Sequence, residues 1–191
     1  MGRDRQCRCA LARRGEWRVA ASGHAVPRRR GCIRGHPLLP RNRTPFLGTC
    51  GGFQHALVEL ARSRAGLVDA AHEESDPAAV DPVVSRLACS LVGEVRIVTP
   101  IAGTRFASIC GTEPFEGYHY CRFGLDPAYV EPLERAGMVV GATAPDAGVE
   151  AIELPEHPFF LATAFQPQVG ADGRGRLGPL LEAFVAASAA I

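Results

Sequence analysis

An α/β domain is the fold class this sequence predicts, and three observations predict it. Segments of strand character alternate with segments of helical periodicity from residue 44 to residue 191. A short apolar run, Thr44-Pro45-Phe46-Leu47, ends in Gly48-Thr49-Cys50-Gly51-Gly52 and passes straight into a helical pattern. At 191 residues, 47% hydrophobic and 21% charged, the chain has length for one substantial core and too little for a second catalytic domain of ordinary size. A sheet covered on both faces, with a reactive residue at the C-terminal edge of a strand, accounts for all three.

Residues 1–43 read as a separate region. They show neither helical nor strand periodicity and are dense in Arg, Gly and Pro, as in Val26-Pro27-Arg28-Arg29-Arg30. A disordered extension is expected, or one translated in a displaced frame, because all 21 basic residues are arginine and the Ala, Gly and Pro content implies a GC-rich coding sequence. The net charge of +1 conceals an uneven distribution: residues 1–45 hold 12 of the 21 basic residues with only Asp4 and Glu16, so the remainder is acidic. An arginine-rich arm can hold phosphates, but the aromatic interleaving of a single-strand reader is missing, Trp17 standing alone, and no nucleic-acid partner is expected. Cys7, Cys9, His24, Cys32 and His36 supply donor atoms whose spacing fits no zinc pattern, so no metal is expected. The acid-poor start has the composition of an organellar transit peptide, yet its prolines and glycines break any amphipathic helix. No run of 18 apolar residues and no apolar signal core occur, and the seven cysteines are an odd number. A cytoplasmic protein with reduced thiols and no membrane partner is the expectation.

The glycine-flanked Cys50 has the layout of a nucleophile elbow. A strand turning sharply into a helix holds its central residue in a strained conformation, and side chains on either side would clash. The thiol then sits at a helix N-terminus, where unpaired N–H groups and the macrodipole favour the thiolate. A buried cysteine before a glycine-rich connection is the other reading of the motif alone.

Phe53, Ala56, Leu57, Leu60 and Ala61 recur at helical spacing and predict a helix ending near Gly66, followed by a loop through Ala71-His72-Glu73-Glu74-Ser75-Asp76-Pro77. Glu94 to Thr99, Thr104 to Ser108 and Tyr118 to Phe123 read as short strands between Gly and Pro punctuation. Pro127 to Ala136 reads as a helix closed by Gly137. Strands follow at Met138 to Ala142, Val149 to Leu154 and Phe159 to Phe165, and a last helix at Leu177 to Ala189. No internal repeat is present.

From Thr44 to about Gln168 the sequence resembles the class I (triad) glutamine amidotransferase domain of CTP synthase. Cys50-Gly51-Gly52-Phe53-Gln54 is similar to that family's Cys-Leu-Gly-Met-Gln elbow, and Glu74-Ser75-Asp76-Pro77 to its Glu-Phe-Asp-Pro. Arg122-Phe123 is similar to its Arg-Tyr, and Glu153-Leu154-Pro155-Glu156-His157-Pro158-Phe159-Phe160 to its Glu-Leu-Pro-Asp-His-Pro-Trp-Phe. Within the family the chain most resembles the single-domain CTP synthase C-terminal region-related (seleno)proteins. The resemblance implies a three-layer, flavodoxin-like sheet, here without the family's N-terminal strands and Gly-rich oxyanion loop, which find no counterpart in residues 1–43. It implies Cys50 as nucleophile, the Gly51 N–H as an oxyanion donor, and Gln54, Glu74 and Arg122 as the groups that hold glutamine or a related amino acid, without a cofactor. A carboxylate for the α-amino group and a guanidinium for the α-carboxylate make chemical sense of that clamp.

One departure bears on turnover. Where the family's last strand ends Phe-His-Pro-Glu, this chain has Phe165-Gln166-Pro167-Gln168, so both triad partners of the cysteine are amides that do not titrate near neutrality. His55, His72 and His119 are the candidates to substitute; His157 belongs to the strand-entry motif. No P-loop occurs, so CTP synthesis by this chain alone is not expected. Three functions stay open: a degenerate amidotransferase that binds glutamine and uses Cys50 weakly, a thiol enzyme acting on another substrate, and a non-catalytic domain docking an ammonia-accepting, synthase-like partner.

Overall fold

The computed structural model describes residues 18–20, 43–169 and 178–190. Phe46–Thr49 (β2) runs into the helix Gly51–Ser63 (α1) with Cys50 as the single residue between them. Ahead of it, Arg18–Ala20 forms a strand (β1) parallel to β2, in a region whose sequence offers no strand pattern. The rest of residues 1–42 lies outside the described residues, and with it the candidate donors Cys7, Cys9, His24, Cys32 and His36.

Chain order continues with the strands Ala70–His72 (β3), Asp81–Arg86 (β4) and Glu94–Pro100 (β5), the helix Arg105–Cys110 (α2), and the strands Phe115–His119 (β6) and Phe123–Leu125 (β7). A 3-10 turn at Pro127–Tyr129 leads into the helix Val130–Arg135 (α3). The strands Val139–Ala144 (β8), Gly148–Glu153 (β9) and Phe160–Thr163 (β10) and the helix Pro179–Ala189 (α4) complete it. A large sheet has the order β1-β2-β10-β9-β8-β5-β6, parallel from β1 to β10 and antiparallel from there to β6. A small sheet has the order β3-β4-β7.

Alternation along the central strands separates two cores, as period-two side chains must. Phe46, Phe160, Ala162, Ile152 and Leu154 face α1 and meet its Phe53, Leu57 and Leu60, with the Phe46 and Phe160 rings stacked at 4.6 Å. Leu47, Leu161 and Ala151 face the other way, onto Phe106 of α2 and Leu180 and Phe184 of α4. Helices on both faces make this a three-layer sandwich.

Two expected strands are corrected. Thr104 to Ser108 is the start of helix α2: Thr104 Oγ1 accepts the Ala107 N–H at 3.0 Å, and the buried Glu153 carboxylate accepts the N–H groups of Arg105 and Phe106 at 3.0 and 2.8 Å. Those contacts satisfy three of the four orphan donors of the first turn, which outweighs the strand propensity of a short apolar run. Tyr118 to Phe123 is not one strand either. The chain leaves the large sheet after His119 and joins the small one at Phe123; the break is held by N–H groups of Leu87, Leu91 and Gly93, which donate to the carbonyls of Arg122, Cys121 and His119. Strands β3 and β4 carry no clear sequence signal: both are short, and neither alternates cleanly between buried and exposed.

Candidate functional site

Strand β2 brings Cys50 to its C-terminal edge, and the turn there is tight. A Cβ on Gly48 would lie 2.9 Å from the backbone C and O of Gly52, so the strand and the first helical turn approach as closely as only glycine permits. Cys50 has φ 50° and ψ −109°, the one non-glycine positive φ among the described residues. Its N–H donates to Thr163 O at 2.8 Å and its carbonyl accepts from Gln54 N at 3.1 Å, so sheet and helix hold the strained residue from both sides.

The cysteine looks into a cavity of about 580 Å³ lined also by Gly51, Gln54, Glu74, Tyr120, Cys121, Arg122 and Gln166. All the site residues expected from the sequence border this space except Gln168, which is exposed and outside the lining. Elements of both sheets converge here. Glu74 follows β3 and Arg122 precedes β7, both on the small sheet and both exposed, while Cys50 and Gln166 come from strand ends of the large sheet.

Several donors favour the thiolate of Cys50. A hydrogen bond from the Cys121 thiol is the leading influence; burial opposes it, and the Gln166 amide, the Gly51 N–H and the charge of His119 act with it, lowering the thiol from 9.0 to about 7. When protonated, the Cys50 thiol has the Tyr120 carbonyl as acceptor, at 3.8 Å. Cys121 moves the opposite way, held protonated by its bond to Cys50, by burial and by the nearby Glu150 carboxylate.

None of the described histidines lines the cavity or is hydrogen-bonded to the Cys50 sulfur. His119 is fully buried, with Nδ1 2.9 Å from Gly117 O and Nε2 3.0 and 2.9 Å from the two oxygens of Glu150, itself fully buried. Both ring nitrogens are engaged, so its influence on Cys50 is that of a charge. His72 Nδ1 accepts the Glu74 N–H at 3.1 Å and its Nε2 lies 3.0 Å from Gln54 Oε1, while the Gln54 amide donates to Phe123 O at 2.8 Å. Phe123 in turn packs its ring on His72 at 5.0 Å and under the Arg86 guanidinium at 5.0 Å. His55 is half-buried on α1, its ring 6.4 Å from that of His72. His157 lies in the loop before β10, Nδ1 accepting the Phe159 N–H at 3.2 Å. No cluster of three or more potential metal ligands occurs among the described residues, and none of their helices is long and apolar enough to cross a membrane.

No protein-family model matches the chain. It is 36% identical over 167 aligned residues to the CTP synthase of Thermus thermophilus, covering 78% of this chain and 30% of that protein. It is 40% identical over 136 residues to the CTP synthase of Pyrobaculum calidifontis, covering 66% and 26%. The solved glutaminase domain of Trypanosoma brucei CTPS with bound acivicin superimposes with a TM-score of 0.71 at 28% identity, covering 78% of this chain and 61% of that one. The chain is a class I glutamine amidotransferase domain, homologous to the glutaminase domain of CTP synthases. It spans less than a third of the length of those synthases. A putative GMP synthase protein from Thermoplasma acidophilum shares this amidotransferase fold, with a TM-score of 0.52 at 15% identity over 76% of this chain and 58% of that one.

Within this amidotransferase domain, two features of the site escape the sequence. Cys121 lies in a stretch with the pattern of a strand, and only the break between β6 and β7 brings it to the cavity. The His119–Glu150 pair joins residues of β6 and β9, 31 positions apart, and no local spacing signals it.

Proposed function

We propose that this domain binds the α-amino-acid end of glutamine or a close analogue through Glu74 and Arg122, and presents its side-chain amide to Cys50. The observation that carries this reading is the convergence of a strained cysteine, an acid and a guanidinium on one cavity. A free α-amino acid offers an ammonium and a carboxylate, and the two charged side chains match them in sign. Gln54, held by His72 and Phe123, lines the same cavity.

Cys50, with its thiol at about 7, is partly ionised at neutral pH and needs no base to become a nucleophile. Attack on the γ-carbonyl gives a tetrahedral adduct whose collapse to a thioester requires a proton for departing ammonia. The Gln166 amide borders the same cavity and favours the thiolate but cannot give up a proton, and Gln168 lies outside the cavity lining. Adduct formation is therefore expected to outrun amide hydrolysis, which loses about 10²- to 10⁴-fold without an acid–base group. Ammonia released at that slow rate would need an acceptor supplied by another domain or protein.

The test is covalent trapping by 6-diazo-5-oxo-norleucine, followed by peptide mapping. Modification of Cys50 in the full chain, lost in Cys50→Ser and protected by excess glutamine, is the expected result. Labelling that glutamine does not slow, or that Glu74→Gln and Arg122→Ala leave unchanged, would remove the amino-acid clamp.

A further inference from the structure

Glutamine chemistry at the cavity uses one of its two cysteines and leaves the other idle. Cys50 and Cys121 are both free thiols, both border the 580 Å³ cavity, and both belong to one small buried cluster with Leu91, Ala144 and Ala147. Cys50 Sγ lies 3.8 Å from the carbonyl of Tyr120, the residue immediately before Cys121. We infer that these two residues form a peroxide-reactive dithiol, in which Cys50 is oxidised first and Cys121 resolves it to an intramolecular disulfide.

The co-reactant is a hydroperoxide small enough to enter the cavity. The Cys50 thiolate attacks the distal peroxide oxygen, the O–O bond breaks, and the departing alkoxide or hydroxide takes a proton to leave as alcohol or water. Cys50 becomes a sulfenic acid, oxidised by two electrons, and the peroxide is reduced by two. Cys121 sulfur then attacks the Cys50 sulfur, the S–O bond breaks, and hydroxide leaves with the Cys121 proton as water. An external dithiol restores both thiols.

The asymmetry of the pair suits this order of events. The attacking sulfur must be ionised and reachable, and Cys50 is lowered to about 7 beside an open cavity. The resolving sulfur must stay reduced until then, and the hydrogen bond to the Cys50 thiolate is the first cause holding Cys121 protonated. Conversion of Cys50 to a neutral sulfenic acid removes that cause, and Cys121 then faces an electrophilic sulfur in place of a thiolate. Neither remaining described cysteine shares the setting: Cys110 is pushed up to about 11 by burial, and Cys89 is exposed outside the cavity lining. The reaction requires no amino acid in the cavity, so it stands or falls apart from glutamine binding.

The experiment treats the fully reduced 191-residue chain with stoichiometric hydrogen peroxide and maps its disulfides by mass spectrometry. The expected product is a Cys50–Cys121 linkage, with Cys50 alkylation lost and recovered on adding dithiothreitol. In Cys121→Ala, Cys50 should instead accumulate as a sulfenic acid trapped by dimedone and pass on to the sulfinic acid roughly tenfold faster than in the parent chain. Pairing of Cys50 with any other cysteine would overturn the inference. So would equal rates of Cys50 over-oxidation in parent and Cys121→Ala, and so would a parent chain in which Cys50 is over-oxidised with no disulfide formed. The parent-chain map decides the matter even if Cys121→Ala does not fold.

Discussion

His72 Nε2 lies 3.0 Å from Gln54 Oε1 while its Nδ1 accepts the N–H of Glu74 at 3.1 Å, so one neutral imidazole ties helix α1 to the loop carrying the acidic arm of the cavity. The two contacts fix the tautomer: Nδ1 is the acceptor and Nε2 carries the hydrogen. Burial is the first cause lowering His72, with the neighbouring His55 adding to it, to about 4. An unfolded histidine titrates near 6.5. Between those values the unfolded chain binds a proton that the folded chain refuses. Stability therefore falls as pH drops from about 6.5 to about 4, by roughly 3 kcal/mol at most from this group. Urea denaturation at pH 7 and pH 4.5 should show this loss, and His72→Gln should show a smaller one. An identical loss in the variant would mean that His72 is not the group responsible.

Alkylation of Cys50 by iodoacetamide should rise with a midpoint near pH 7 rather than near the usual cysteine value of 9.0. Gln166→Ala removes one of the donors to the sulfur and should move the midpoint upward. Cys121→Ala removes the leading one and should move it further. The ordering of these two shifts, read from stopped-flow or mass-resolved kinetics, checks which donor dominates.

Restoring acid–base chemistry is a separate matter from binding. Gln166→His places an imidazole just past the end of β10, in the cavity lining with Cys50, and should raise glutamine hydrolysis about 10²-fold or more. Gln168→Glu alone should change little, because that side chain is exposed and outside the cavity lining. A γ-glutamyl thioester, whose leaving group needs no proton, should be cleaved by the parent chain far faster than glutamine. Ammonia and thiol release assays on the same samples compare them directly.

The His119–Glu150 pair is fully buried and should be costly to break. Glu150→Gln leaves the imidazole without its charged partner and should cost about 3–5 kcal/mol in thermal or denaturant unfolding. The double change His119→Phe with Glu150→Leu should be less harmful than Glu150→Gln, since it removes both polar groups together. It should also raise the Cys50 alkylation midpoint, because the positive charge that favours the thiolate goes with it.

Gly48→Ala drives a methyl into the backbone of Gly52, 2.9 Å away, with no flexible side chain able to yield. A loss of about 1–3 kcal/mol is expected. The first helical turn should move away from β2, so slowed alkylation at Cys50 should accompany the lower melting temperature.

The elbow is legible in the sequence because its cause is local. Gly48, Cys50 and Gly52 are alternate positions of one turn, and the helical spacing of Phe53, Ala56, Leu57 and Leu60 follows at once. The helix at Arg105–Cys110 is not legible, because much of its N-terminal capping comes from Glu153, 47 and 48 positions away. Likewise the division of Tyr118 to Phe123 between two sheets is not legible, because no Gly or Pro marks the break. Residues that touch the cavity through their own side chains, such as Gln54, Glu74 and Arg122, stand in recognisable motifs. The groups that hold the site in place, His72 and Glu150, do not, since a supporting contact leaves no spacing behind it in the chain.

The division of labour between the two sheets has a consequence for molecular measurement. Glu74 and Arg122 ride on the small sheet, Cys50 and Gln166 on the large one, and α1 packs against both through Phe53, Leu57 and Leu60. In the proposed clamp, the gap between charged groups and sulfur is thus a gauge whose jaws belong to different sheets, with the helix as the bar that sets their separation. Any ligand read across it is sized by the interior of the protein. A methylene gained or lost in the packing under α1 would retune which chain length fits, without altering a single residue that the ligand touches.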